Sequence, residues 1–163
     1  MNLRRIITVL LISVLFMQSC KDMKSTNDGF IERDLISKGI PLKIMAPEDA
    51  EVNIKVENFY KDITIKKGSD YSVQIICTEA LVNEIVAVRE ELENEVRKNP
   101  YFAEIISEDP NGFVYSKKSE NGSLIYDFRY IKIEGGQQFV FQAGKYGEFT
   151  KEQAMKMFDS VKS

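Results

Sequence analysis

Few residues in this chain could do chemistry, because the sequence contains no histidine and no tryptophan. That removes the commonest general base and metal ligand. Of the groups that remain, Asp127 and Arg129 stand out. They lie two apart in a run of strand-forming residues, so they share one face and are close enough to interact. The spacing reads as a surface ion pair worth about 0–1 kcal/mol, or as a polar recognition site. Asp127 and Glu134 are the carboxylates nearest to an acid–base couple, but an odd separation puts them on opposite faces of the strand. A two-acid glycosidase would need them converging at about 5–9.5 Å. Glu91 and Glu95 are spaced i,i+4 on an expected helix, where exposed acids have no cause to shift toward acid–base work. Of the two cysteines, Cys20 follows an apolar run, and Cys77 sits in the apolar stretch Val73 to Cys77 as a small buried hydrophobe. Met155 and Met157 are gap-fillers without convergent soft ligands. Neither a GxGxxG, a P-loop, a GxSxG nor an HExxH pattern occurs. The expectation is no enzyme, no metal and no cofactor.

The elements that must position Asp127 and Arg129 are organised around Leu124 to Glu134 (LIYDFRYIKIE), a strand flanked by Asn121-Gly122 and Gly135-Gly136. Read as two-residue turns, these dipeptides set two registers. Lys117 meets Tyr126, Tyr115 meets Phe128 and Phe113 meets Tyr130. On the other side, Lys132 meets Phe139, Tyr130 meets Phe141 and Phe128 meets Ala143. Together they gather Phe113, Tyr115, Tyr126, Phe128, Tyr130, Phe139 and Phe141 on one face. The other face is expected to be wet over Asp127 and Arg129 and covered near Ile131.

Upstream, Phe30 to Ile36 reads as a short strand or helical turn, and Ile40 to Met45 as a strand. Glu51 to Glu57, Asp62 to Lys66 and Tyr71 to Cys77 alternate with period 2 and read as a meander. Thr78 to Asn99 reads as a long helix: Leu81, Ile85, Val88, Leu92 and Val96 form one stripe, Thr78 is the cap and Pro100 the stop. Its solvated face carries Glu84, Arg89, Glu90, Glu91, Glu93, Glu95, Arg97 and Lys98. Phe102 to Glu108 follows as a strand, with a type I turn at Asp109 to Gly112 and a left-handed Gly112. Thr150 to Gln153 is a capping box ahead of a helix whose Ala154, Met157, Phe158 and Val161 dock on the core. The fold class is α+β: a twisted antiparallel sheet of two meanders, packed with one long central helix and a C-terminal helix.

Residues 1–19 are outside that fold. Arg4 and Arg5 precede the apolar run Ile6 to Met17, which is shorter than the about 20 residues a membrane span needs and fits a signal-peptide core. Phe16-Met17-Gln18-Ser19-Cys20 resembles a bacterial lipobox, with Ser19 before the cysteine and Met17 where the pattern prefers Leu. The resemblance implies cleavage before Cys20, diacylglycerol on its thiol and an acyl chain such as palmitate on its amine. At about 0.8 kcal/mol per buried methylene, several chains anchor a protein firmly. Lys21 follows in place of the Asp that would resemble an inner-membrane retention signal, so the expected address is the outer membrane of a Gram-negative cell envelope. Residues 20–29 form a polar tether, and 30–163 a single α+β domain. Cleavage of the first 19 of 163 residues leaves 144, with 20 basic and 25 acidic side chains, so the net charge goes from −3 to −5. An acidic domain is a poor candidate for binding nucleic acid, which demands clustered positive charge.

The order strands, helix, meander, helix resembles the Mog1/PsbP-like group of α/β/α proteins. The matching stretches are Gly39 to Pro47, like that group's first strand running into a proline turn, and Gly147 to Val161, like its closing helix. The longer first β stretch is a departure, and a cystatin- or NTF2-like curved sheet on a helix is the competing architecture. Members of the group are mostly adaptors and assembly factors. The resemblance therefore implies binding rather than chemistry and carries over no site residue. The functional expectation is a lipid-anchored, non-catalytic binding or assembly module. Its partners would be the membrane, through Cys20, and another envelope protein, met at an apolar or mixed patch on a sheet edge or on the Asp127/Arg129 face. The alternative is a small-ligand carrier using the aromatic face of the sheet.

Overall fold

A computed structural model describes residues 29–81 and 84–162. The expected signal peptide, Cys20 and most of the tether lie outside the described residues. Nine strands and two α-helices are described: β1 (Phe30–Asp34), β2 (Lys43–Pro47), β3 (Glu51–Val56), β4 (Lys61–Lys67), β5 (Tyr71–Glu79), α1 (Ile85–Lys98), β6 (Phe102–Asp109), β7 (Gly112–Lys118), β8 (Leu124–Glu134), β9 (Gln137–Ala143) and α2 (Lys151–Val161). The protein is α+β and mainly antiparallel. Strands β3 to β9 form one seven-stranded sheet in the order β3-β4-β5-β9-β8-β7-β6, and β1 and β2 pair separately. The join is β5 against β9, with Ile75 opposite Phe141 and Cys77 opposite Phe139.

The sheet has two covered faces. On one, β1–β2 and α2 close the larger core. Phe128, Phe139, Phe141, Ile63, Ile65, Val73 and Ile75 meet Leu42 and Ile44 from β2 and Met157, Phe158 and Val161 from α2, all fully or almost fully buried. Phe158 makes edge contacts to Phe128 and Tyr130, with ring centroids 5.9 and 5.8 Å apart. Helix α2 starts where its sequence dictates. The Thr150 hydroxyl accepts from Gln153 N (3.3 Å), and the Gln153 side-chain oxygen accepts from Thr150 N (2.9 Å). Two of the helix's orphan N-terminal donors are thereby satisfied.

The second face holds a smaller cluster under α1: Leu92 and Val96 of the helix against Phe113, Tyr115, Phe102 and Ile105. This arrangement corrects the expected register. The β8–β9 pairing is as read, with Tyr130 opposite Phe141 and Lys132 opposite Phe139. The β7–β8 pairing is displaced by one residue, so Val114 meets Phe128, Tyr115 meets Asp127 and Phe113 meets Arg129. The cause is the turn. Ser119 N donates to Ser123 O (2.9 Å) and Gly122 N to Ser119 O (2.9 Å), with Gly122 at φ +85°. That is a three-residue loop closing on a left-handed glycine, not the two-residue turn the Asn-Gly pair suggested. A one-residue slip moves every side chain to the other face. Phe113 and Tyr115 therefore leave the main aromatic group and become the platform for α1.

Other boundaries shift as well. Thr78 lies in β5 opposite Gln138, and α1 begins only at Ile85 after Glu84, so the helix is shorter than its apolar stripe implied. Leu81, counted in that stripe, is 91 % exposed. Pairing with β9 satisfies backbone groups through Glu79, and this extends the strand at the helix's expense. Strand β2 begins at Lys43, after Pro41, and the segment from Phe30 forms a strand followed by a 3-10 turn, Ile36–Lys38. Gly112 is not left-handed. A Cβ there would collide with the Arg129 carbonyl and with Tyr130, so the glycine is required by close approach.

Candidate functional site

Because Phe113 and Tyr115 face α1, Asp127 and Arg129 are covered along with them. The two side chains are only 10 % and 16 % exposed. The expected surface pair is thus a buried one. The physical reason is that the Leu92/Val96 stripe needs an apolar seat, and the Phe113 and Tyr115 side chains that supply it stand opposite Arg129 and Asp127.

The Asp127 carboxylate is saturated. Its Oδ1 accepts from Phe128 N (2.7 Å), Ala143 N (3.0 Å) and Arg129 Nη1 (3.3 Å), and its Oδ2 from the Tyr115 hydroxyl (2.9 Å) and Lys117 Nζ (3.3 Å). Burial acts to raise its pKa. The charges of Arg129 and Lys117 and the two backbone donors outweigh burial and hold it below the usual carboxylate range. For Arg129, burial acts to weaken the charge and Asp127 outweighs it, so the guanidinium stays protonated. It also lies over the Tyr115 ring, 5.5 Å from its centroid. Burial, then the neighbouring Asp127 charge, pushes the Tyr115 phenol well above its ordinary value. A carboxylate whose lone pairs are all engaged suits neither a nucleophile nor a general base. What it does is tie β7, β8 and β9 together beneath α1.

Residues expected on the solvated face of α1 divide. Glu91 and Glu95 are exposed. Arg89 and Glu93 lie in the seam between helix and sheet, each with 15 % side-chain exposure, and form a 3.0 Å ion pair. Arg89 also donates to Asp109 O (3.1 Å) and Glu108 Oε2 (3.2 Å) and covers the Phe113 ring. These contacts connect α1 to the β6–β7 turn. Cys77 is buried, its thiol raised by burial against the opposing charge of Lys61. Met157 packs in the core and accepts from Ser72 N at 3.3 Å.

The part of this face that α1 does not cover carries a feature sequence reasoning missed. Gln142, which opposes Arg129, donates to the Gln74 side-chain oxygen (2.8 Å), and Gln74 donates to Asp62 Oδ2 (2.9 Å). This row of hydrogen bonds crosses β9, β5 and β4. It runs along a groove of about 610 Å3 lined by Lys55, Asp62, Lys66, Gln74, Lys145 and Tyr146, among others. The other carboxylate oxygen of Asp62, Oδ1, is buried without a hydrogen-bond partner. Such a group favours a donor placed beside it. The available signal was the polar half of the period-2 pattern, Asn53, Lys55, Asp62, Thr64, Lys66 and Gln74, which is the outer face of the first strands. Compared with known proteins, the chain matches no family model and no curated sequence.

Proposed function

We propose that the chain is a lipid-anchored, non-catalytic binding or assembly module of the cell envelope, attached to the outer membrane through Cys20 after removal of residues 1–19. The observation that carries this reading is at the sheet edge. The β3–β4 hairpin exposes Val56 (71 %) and Phe59 (89 %), with Tyr60 partly exposed beside them. Apolar groups gathered at a sheet edge are what a partner-binding surface requires. The saturated Asp127 carboxylate favours a structural part for the most conspicuous ionic group. The resemblance over about Gly39 to Val161 to the Mog1/PsbP-like group, whose members are mostly adaptors, supports the same reading. The tether from Cys20 to Gly29 spans at most about 30 Å at about 3.3 Å per residue, so the domain would work close to the membrane.

The test is Cys20→Ala in an expressing bacterium, with fractionation, followed by crosslinking and mass spectrometry of the wild-type protein in its envelope. Release of the variant from membranes and one stoichiometric protein partner lost on Phe59→Ser are expected. A variant that stays membrane-bound would sink the anchor.

A second reading, small-ligand binding, is favoured by the groove beside Asp62, Gln74 and Gln142. Of the aromatic face expected to serve it, Phe128, Tyr130, Phe139 and Phe141 are packed in the core closed by α2, and Phe113 and Tyr115 lie under α1. Native mass spectrometry that finds a small molecule retained by the wild type and lost in Gln74→Leu would shift the weight to it.

A further inference from the structure

The two outer strands of the seven-stranded sheet are built differently. Strand β6 carries two register shifts against β7, between Phe102 and Glu104 and between Ile105 and Ser107. Bulges of this kind twist an edge and blunt it against further pairing. Strand β3 pairs with β4 without interruption over all of Glu51–Val56, and among the described residues β4 is its one neighbour in the sheet. Its inner and outer backbone groups can be assigned. Glu57 N donates to Tyr60 O (2.9 Å) beside the turn at Asn58-Phe59. Bonded pairs recur at every second position, so Glu51, Asn53 and Lys55 direct their N–H and C=O toward β4. Val52, Ile54 and Val56 direct theirs outward.

The sequence of this edge, Glu-Val-Asn-Ile-Lys, complements its own reverse. We propose that β3 is a self-pairing edge: two copies of the chain join their β3 strands antiparallel about a two-fold axis at Asn53, extending the sheet across both. In that register Val52 stands opposite Ile54 of the second copy, and Ile54 opposite its Val52. Both are outward-directed residues, so each pair exchanges two backbone hydrogen bonds. Glu51 stands opposite Lys55 of the second copy and the reverse, with Asn53 opposite Asn53 between them. A shift by two residues in one direction sets Glu51 against Glu57. In the other it sets Lys55 against Asp49, which lies outside the strand and is bound to Lys67 at 2.6 Å. The register at Asn53 alone matches charge with charge inside the strand. It also completes the cover of Val52 and Ile54, which are only partly buried against the core. A few strand-edge hydrogen bonds make a small interface, suited to molecules concentrated on a surface.

The inference rests on the reading of this edge as a binding surface; the envelope setting of its test rests on the lipid anchor, which fractionation of the Cys20→Ala chain checks separately. Its test is disulfide trapping of the full-length Asn53→Cys chain in the bacterial envelope under mild oxidation. At a non-hydrogen-bonded pair on the axis, Cα atoms lie about 4.5 Å apart, within disulfide reach. Cys77 is buried, and wild type supplies the background. Asn53→Cys is expected to give a covalent dimer and Asn58→Cys, off the axis, to give none. Adding Lys55→Glu sets Glu against Glu twice and lowers the yield about tenfold; adding Glu51→Lys as well restores it. All these side chains are exposed. Because Lys55 faces Asp62 and Glu51 faces Lys66 within the hairpin, circular dichroism and the unfolding midpoint of each variant are measured alongside the yield, and an unchanged midpoint assigns the loss of dimer to the edge. No dimer above background, or a yield indifferent to the charge changes, overturns self-pairing. A different envelope protein captured at Phe59 with no Asn53→Cys dimer also overturns it, while leaving the binding-module reading standing.

Discussion

Replacing Asp127 with Asn keeps the shape of the side chain and removes its charge. Four of the five donors around it can still find an amide oxygen or rearrange, but one side of the amide now presents N–H groups to donors, and Arg129 loses its counter-charge. Removing one partner of a buried pair costs about 3–5 kcal/mol. Arg129 keeps 16 % of its side chain in contact with solvent, which lets it recover some hydration, so the lower end, about 3 kcal/mol, is the expected loss. For a domain of this size, that is a fall in Tm of about 10 °C. Urea and thermal denaturation followed by circular dichroism measure it. The double variant with Arg129→Met should cost less than the sum of the single changes by about 1–3 kcal/mol, since the two residues are in contact. The acid limb carries an independent signature. Folding lowers the Asp127 pKa, so its stabilisation is complete above the unfolded value, about 3.9, and is lost as pH falls through the lower folded value. Wild type should lose this increment on acidification below about pH 4, and Asp127→Asn should lack it. A loss under about 1 kcal/mol at neutral pH, the worth of an exposed pair, would refute the argument that α1 buries the site.

Gly112→Ala should destabilise by about 1–3 kcal/mol, because its Cβ meets Arg129 and Tyr130 backbone and ring. Gly122→Ala, with open space around it, should cost about 1–2 kcal/mol through its left-handed backbone alone; chemical denaturation compares the two. Thr150→Ala removes the cap of α2 and should cost about 1 kcal/mol, with faster amide exchange in the first turn of that helix. Cys77 should resist thiol reagents near neutral pH in the folded protein and react in urea, since burial both shields the thiol and raises its pKa. Equal rates in both conditions would contradict its placement in the core.

Much of this architecture follows from local pattern. Period-2 alternation locates β3, β4, β5 and β8, and Gly135-Gly136 sets the β8–β9 register, because a two-residue turn leaves one pairing open. Thr150 and Gln153 mark the start of α2, since a capping box uses neighbours in sequence. The face on which Phe113 and Tyr115 fall is not local information. Asn121-Gly122 accommodates a two-residue turn or a three-residue loop closing on Gly122, and the choice reverses every side chain of β7. The loop is favoured because Leu92 and Val96 then find an apolar seat, a contact between segments far apart in the chain. The same docking turns Asp127 and Arg129 from an apparent surface pair into a buried one. The row from Gln142 through Gln74 to Asp62 likewise exists only once β5 pairs with β9. Residue types and spacing determined which segments become strands and helices. Long-range pairing decided which side chains meet, because burial and charge neutralisation depend on neighbours that sequence distance does not reveal.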